Sequence, residues 1–223
     1  MRHGHTAAND EGNEALMCGW TDLPLTRLGH AQVDLLRRRL SRGASFAAIY
    51  SSPLRRARET ANALRGLGPL HLRAELREIC CGELDGMTLG QVRERFPELW
   101  EANVRQDDED FRWPGGESYR EFRHRCLSAL GRVIAGHPAA TVAIVTHAGF
   151  ISQIVGAMKG ESPARWDRHR AGNTSVTEIV WDRGSGVLVG FDDGAHLADR
   201  RALERRPVRA TRRGLGSRRL PVG

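Results

Sequence analysis

The stretch TVAIVTHAGFISQIVGAMK (residues 141–159) joins a nearly continuous apolar run to a segment with a helical pattern. So dense an apolar run predicts a buried strand over 141–146, of the kind found in parallel sheets. The helix that follows extends to about Lys159, and His147 comes directly after the strand. Because ligands bind at the carboxyl ends of strands in such folds, His147 is a candidate site residue.

Strand-like and helical segments alternate through the rest of the chain. A short buried strand is expected at 47–50, and a closing hairpin at 176–181 and 187–191. Helices are expected from Thr26 to Ser41, from Pro53 to about Gly66, from Thr88 to just before Pro97, from Glu117 to about Gly136 and, as a short helix, from Ser162. This alternation predicts a three-layer α/β/α domain with a mainly parallel sheet.

Charge divides the chain into two parts. The 223 residues carry a formal net charge of +7, but residues 200–223 hold nine arginines and one acid, a charge of +8, which leaves −1 for residues 1–199. Residues 1–199 are the predicted domain, and the Arg-rich tail at 200–223 is predicted to be disordered because it has few apolar residues. We favour a solvated extension over a non-specific arm for nucleic acid, since no aromatic residue interleaves the arginines.

Within the domain, residues 101–116 are polar, acidic and broken by proline and glycine, which predicts a loop. This loop belongs to a lid region at about 97–116. Trp100, Phe111, Trp113 and the acidic run 107–110 lie in it and are expected to set specificity.

The four cysteines are Cys18, Cys80, Cys81 and Cys126, and none forms a CxxC pair. They predict reduced thiols in a cytoplasmic protein rather than a disulfide or zinc framework. No apolar run is long enough to span a bilayer, so no membrane association is expected.

The N-terminal residues MRHGHT (1–6) place Arg2 and His3 on a glycine turn. This grouping suits an imidazole nucleophile that faces a phosphoryl group, because arginine offers a planar fork of donors and glycine permits close backbone approach. A metal site at His3 and His5 is the weaker alternative, since no further ligands follow at metal-binding spacing. We therefore expect no metal and no cofactor.

Six stretches, in order, resemble the histidine phosphatase superfamily, in the branch of cofactor-dependent phosphoglycerate mutases and small phosphatases. They are RHGHTAAN (2–9), GWTDLPLTRLGHAQ (19–32), IYSSPLRRARETA (49–61), LREICCGELDGMT (76–88), PGGES (114–118) and VTHAGF (145–150). The resemblance implies the phosphoglycerate mutase-like fold and a small phosphorylated metabolite as the partner. It leaves the oligomeric state open, with a dimer among the alternatives.

The resemblance also implies roles for particular residues. His3 matches the phosphate-accepting histidine, Arg2 and Arg56 match the two phosphate-clamping arginines, and His147 matches the second histidine that holds the transferred group. Glu78 matches the general acid; Glu83 is its nearest competitor and Asp85 a more distant one. Asn9, Cys18 and Gly19 match positions that bind phosphate or substrate, although Cys18 departs from the small hydroxyl residue often found there.

Two features favour hydrolysis over a mutase reaction. Glu78 and His147 are only 69 residues apart, shorter than in mutases with their long insertion, and His147 is followed by Ala148-Gly149 rather than Gly-Asn. The prediction is a phosphatase for a small phosphomonoester that forms a phosphohistidine intermediate. The alternatives are phosphoglycerate mutase-type phosphoryl transfer and a non-catalytic regulatory or binding protein that uses the basic tail.

The resemblance further implies an apolar strand leading into Arg2-His3-Gly4, whereas only Met1 precedes Arg2 here. That first central strand is expected to be missing from the sheet. We expect the natural start to lie upstream of Met1, and the upstream reading frame tests this expectation.

Overall fold

The computed structural model of the protein describes residues 1–10, 12, 14–182 and 184–198. The predicted disordered tail, 200–223, lies outside the described residues. The strands are β1 (Ala48–Ser51), β2 (Leu70–Leu72), β3 (Val142–Val145), β4 (Val176–Asp182) and β5 (Ser185–Asp193). The α-helices are α1 (Arg27–Leu40), α2 (Arg55–Ala63), α3 (Leu89–Arg95), α4 (Pro97–Arg105), α5 (Tyr119–Ala135) and α6 (Ala148–Met158).

The central sheet is parallel, with the strand order β2-β1-β3. Ile49 pairs with Leu70 on one side and with Ala143 on the other. This parallel arrangement confirms the prediction from the 141–159 stretch. Strand β2 was not predicted, because three residues at a sheet edge carry too little periodicity.

Helices cover both faces of this sheet. Successive strand residues point to opposite sides, so each face presents apolar side chains for the helices to cover. On one face Ile49, Ala143 and Val145 pack with residues of α1 and α2. On the other face Tyr50 and Ile144 pack against a cluster that includes residues of α5 and α6. The three-layer α/β/α architecture is therefore confirmed.

Residues 1–3 lie beside β3. Arg2 forms a single parallel bridge with Thr146, and the His3 N–H donates to the Thr146 carbonyl at 3.0 Å. On the other side, the Arg2 N–H donates to the Ser175 carbonyl and the Thr174 N–H to that of His3. The first central strand was expected to be missing, and the described residues have this single bridge at that position, which holds His3 between β3 and the residues that lead into β4.

The closing hairpin of β4 and β5 is confirmed, with Val180 paired to Val187 in an antiparallel register. Helix α1 is capped as expected, because the Thr26 side chain accepts from the Gly29 N–H. The capped start of α3 at Thr88 is confirmed as well.

Three local predictions were wrong. Helix α2 begins at Arg55 rather than Pro53, because the backbone of Leu54, which precedes it, is extended. The expected loop over 101–116 begins only after Arg105, since α4 starts with a proline at its first turn and continues to that residue. The short helix expected from Ser162 is a series of turns.

The aromatic residues of the lid region are not all at the surface. Phe111 and Trp113 are buried, and they pack with Leu84, Val92 and Tyr119 in a third hydrophobic cluster. This burial fixes the lid region against the body of the domain. Among the described residues, no helix combines the length and the apolar composition needed to cross a membrane.

Candidate active site

His3 is 4% exposed, at the end of the bridge beside β3. Its Nδ1 lies 2.7 Å from the Gly4 carbonyl oxygen, which can only accept, so Nδ1 carries the proton. Nε2 then keeps its lone pair. Burial, and after it the charges of Arg56 and Arg2, hold the pKa of His3 well below its ordinary value. The ring is thus neutral and nucleophilic at Nε2.

Arg56, in the first turn of α2, is buried to 2% exposure. Its guanidinium donates to the carbonyls of Thr21 at 2.8 Å and Gly19 at 2.7 Å. Its Nε donates to His147 Nδ1 at 3.2 Å. These contacts join helix α2 to the 19–21 loop and to the second histidine.

His147 follows β3 and caps α6. Because Nδ1 accepts from Arg56, Nε2 carries the proton and donates to the Ser52 hydroxyl oxygen at 2.9 Å. The ring centroids of His147 and His3 are 5.2 Å apart. Burial, followed by the charge of Arg56, keeps the pKa of His147 well below its ordinary value. The two rings therefore lie side by side as neutral imidazoles.

Arg2 donates through one terminal nitrogen to the Ala171 carbonyl at 2.8 Å, while its Nε is buried with no partner among the described residues. Burial lowers the pKa of Arg2 to about 10, with the charge of Glu78 acting in the opposite direction. The guanidinium remains cationic at neutral pH. A half-buried guanidinium of this kind attracts an anionic ligand.

The carboxylate of Glu78 is held at the N-terminus of α6. Its Oε2 accepts from the Gly149 N–H at 2.9 Å, and its Oε1 from the N–H of Ile79 at 3.0 Å. A helix N-terminus is a favourable place for a carboxylate, because its first N–H groups lack partners. Glu78 thereby lies next to the turn that carries His147.

The two competing acids occupy other environments. Glu83 is exposed, with its backbone N–H bound to the Pro114 carbonyl. Asp85 accepts from the backbone N–H groups of Gly19 and Trp20, at 2.6 and 3.0 Å. Asp85 organises the loop, and the geometry favours Glu78 as the acid.

The expected substrate-binding residues surround this centre. Asn9 Oδ1 accepts from the Thr6 N–H and from Asn173 Nδ2, which braces the loop after His3. The Cys18 thiol lies 3.7 Å from the Thr21 carbonyl, and burial raises its pKa. At Gly19 a Cβ would lie 2.2 Å from the Ile79 carbonyl oxygen, so only glycine fits there.

Three contacts of the site were not predicted from the sequence. Ser52 holds His147, Asp85 holds the 19–20 backbone, and Asn173 donates to the His3 carbonyl at 3.1 Å. Ser52 lies in the motif at 49–61 and Asp85 in the motif at 76–88, and this position within a motif was the only sequence feature that marked them. Asn173 lies in an irregular segment without a motif.

Within the part of the chain that the structure describes, no three His, Cys, Asp or Glu side chains are grouped so as to hold a metal ion. The site combines two neutral imidazoles, two guanidinium groups and a carboxyl group. Such a set can receive a phosphoryl group and protonate a leaving oxygen.

Known proteins are similar to this chain in sequence and in architecture. The sequence profile of the histidine phosphatase superfamily (branch 1) matches residues 1–194. Phosphoglycerate mutase-like protein 4 of Arabidopsis thaliana is 29% identical over 204 residues, which cover 89% of this chain and 86% of that protein.

Solved structures agree with the sequence match. Bacillus stearothermophilus YhfR superposes with a TM-score of 0.80 at 33% identity, covering 88% of this chain and 96% of YhfR. A phosphoserine phosphatase mutant from Entamoeba histolytica, in complex with phosphoserine, gives a TM-score of 0.77 at 26% identity, with the same coverage of 88% and 96%. By its profile match, its sequence relatives and its fold, the chain belongs to branch 1 of the histidine phosphatase superfamily.

Proposed function

We propose that this phosphatase hydrolyses a small phosphomonoester through a phosphohistidine formed at His3. The observation that carries the proposal is the hydrogen bond from Gly149 to Glu78, which holds a carboxyl group at the start of α6, two residues after the buried His147 whose ring lies beside that of His3. A nucleophile and a proton donor are thus available in one site.

In the first step the Nε2 lone pair of His3 forms a bond to phosphorus, and the bond from phosphorus to the leaving oxygen breaks. Protonated Glu78 gives its proton to that oxygen. Arg2 and Arg56 stabilise the negative charge of the transferring group, as fixed cations do in phosphoryl transfer.

In the second step water attacks phosphorus and Glu78, now a carboxylate, takes its proton. The bond between phosphorus and nitrogen breaks, so inorganic phosphate leaves and His3 returns to the neutral state. Two displacements replace one difficult displacement, which is the benefit of covalent catalysis.

The substrate belongs to the small phosphorylated metabolites. Phosphoserine, bound in the Entamoeba histolytica relative, is a reasonable member of a test panel. The arginine tail is not assigned a partner, and the cytoplasmic location stays a prediction. A mutase reaction is the alternative, in which phosphohistidine passes its phosphoryl group to a second metabolite instead of water.

The test measures the release of inorganic phosphate from a panel of phosphomonoesters. In parallel, the enzyme is trapped with a substrate labelled on its phosphoryl group, and the bound label is tested for its stability in acid. The wild type is expected to release phosphate and to carry an acid-labile phosphoryl group, while His3→Ala does neither. Equal activity of the two proteins contradicts the proposal. Transfer to an acceptor metabolite without phosphate release supports the mutase instead.

A further inference from the structure

Glu78 lies on a segment that has no regular secondary structure of its own. Residues 77–81 follow a single 3₁₀ turn (Ala74–Leu76) and precede another at Gly82–Leu84. A backbone without a helical or strand ladder must be fixed by other partners if its side chain is to hold one position. The indole N–H of Trp20 donates to the Glu78 carbonyl at 2.9 Å, and a further partner comes from α5.

Arg125 of α5 donates to three backbone carbonyls, one in the preceding 3₁₀ turn and two in this segment. One terminal nitrogen donates to the carbonyls of Glu75 at 2.8 Å and Arg77 at 2.9 Å. The other donates to the Glu78 carbonyl at 3.0 Å. These contacts reach the backbone of Glu78, while its carboxylate remains bound to the Gly149 N–H.

Glu117, in the PGGES stretch, accepts from the two remaining N–H donors of the Arg125 guanidinium. Arg125 Nε donates to Glu117 Oε1 and a terminal nitrogen to Oε2, both at 2.7 Å. A guanidinium has five N–H donors, and all five are then used in fixed directions. Lysine, with three donors on a single nitrogen, cannot reproduce this pattern.

Glu117 is itself bound to the acid segment. Its Oε2 accepts from the Cys80 N–H at 2.9 Å, and its own N–H donates to the Cys80 carbonyl at 3.0 Å. The side chains of Arg125 and Glu117 are 19% and 21% exposed. Screening by solvent is therefore weak compared with that of a surface ion pair.

We propose that Arg125 and Glu117 are positioning residues that hold the Glu78 carboxyl group where it protonates the leaving oxygen. The proposal rests on the proposed function, in which Glu78 is the general acid. It also gives the PGGES stretch a role in the reaction, because Glu117 binds the acid segment from outside the phosphate site.

The test compares an alkyl phosphate with p-nitrophenyl phosphate in Arg125→Lys, Arg125→Met and Glu117→Gln. An alkoxide needs a proton to leave, whereas nitrophenolate leaves without one. We expect kcat for the alkyl phosphate to fall about 10- to 100-fold, which is a part of the roughly 10²- to 10⁴-fold that general acid catalysis supplies. We expect kcat for p-nitrophenyl phosphate to change less than about 3-fold. KM is expected to stay constant for both substrates.

The matched control is Arg132→Met. Arg132 lies on the same helix and binds the side chain of Glu75 at 3.1 Å, but both side chains are exposed, and it contacts no carbonyl of the segment. Its loss is expected to leave both substrates unaffected. Circular dichroism and thermal melting check folding; if Arg125→Met does not fold, Arg125→Lys and Glu117→Gln still decide the question.

A double-mutant cycle separates this inference from the proposed function. Glu78→Gln alone should lose activity on the alkyl phosphate selectively. Adding Arg125→Lys should reduce that activity little further, because both changes remove the same contribution, the proton donated by Glu78. A selective loss in Glu78→Gln without any in the Arg125 and Glu117 variants overturns the positioning role alone. An equal loss on both substrates in those variants also overturns it. No selective loss in Glu78→Gln instead overturns Glu78 as the acid.

Discussion

The Gly149 N–H binds Glu78 Oε2 at 2.9 Å, and a Cβ built on Gly149 would lie 2.3 Å from Glu78 Oε1. Such a distance is far below van der Waals contact, so no larger residue fits beside the carboxylate in this position. Because Gly149 has no side chain, the start of α6 can approach the Glu78 carboxylate closely enough to bind it.

Gly149→Ala is expected to displace the Glu78 carboxylate and to reduce activity on an alkyl phosphate by about 10- to 100-fold, a part of what a general acid contributes. Gly149 is within the first turn of α6, where alanine is a better helix former than glycine. The fold should therefore tolerate the change. Steady-state kinetics and a thermal melt check both points; unchanged kcat contradicts the role of this contact.

Arg56→Lys is expected to lower both stability and activity. Lysine keeps the charge but cannot bind Thr21, Gly19 and His147 at once, so buried acceptors lose their donor. We expect the free energy of unfolding to fall by about 2–3 kcal/mol, as for lost hydrogen bonds to a charged group. Urea denaturation measures it. Arg58→Lys, on the same helix at an exposed position, is the control and should change neither quantity.

Stability is expected to fall as the pH decreases below about 6.5, the ordinary pKa of an unfolded histidine. Burial and neighbouring arginines lower the folded pKa values of His3 and His147, so the unfolded chain binds two protons that the folded chain does not. Each such proton costs up to about 1.4 kcal/mol per pH unit. This contribution is complete above pH 6.5 and is lost progressively as the pH falls.

Urea denaturation between pH 5 and 8 measures this dependence. His3→Asn, which cannot titrate, should reduce the slope below pH 6.5 by roughly one proton, about 1.4 kcal/mol per pH unit. The same slope in both proteins is incompatible with a neutral His3 in the folded state.

Asn173→Asp is expected to destabilise the loop after His3. Asn173 Nδ2 donates to the His3 carbonyl and to Asn9 Oδ1, both at 3.1 Å, and a carboxylate would set negative charge against two acceptors. A cost of about 1–3 kcal/mol is expected for the unpaired acceptors, together with reduced activity. Thermal melting at pH 7 checks the first and kinetics the second. Asn173→Asp with wild-type stability would show that this amide does not brace the loop.

The sequence predicted the layers and most of the elements because their signals are local. The apolar run at 142–145 and the capping residues Thr26 and Thr88 specify strand and helix starts through periodicity and side-chain caps. The residues that the fold brings together also lie in sequence motifs, namely those at 2–9, 49–61, 76–88 and 145–150.

What the sequence could not decide depends on contacts between distant residues. Periodicity did not reveal that Phe111 and Trp113 are buried, since their partners Leu84 and Val92 are remote in the chain. Among the three acids the motif resemblance alone favoured Glu78. The tertiary structure supplies the physical reason, because the backbone of Gly149 reaches that carboxylate, whereas Asp85 is bound to Gly19.

By itself, therefore, the sequence determined the α/β class, the order of most of the elements and the set of polar residues at the strand ends. Only the tertiary structure decided which nitrogen of each histidine carries the proton, through the Gly4 carbonyl, Ser52 and Arg56. Only the structure showed that Arg125 binds the backbone of Glu78 and that Glu117 binds the backbone of Cys80. Local patterns specify backbone conformation, but hydrogen bonds between segments far apart in the chain exist only once the sheet and helices have packed.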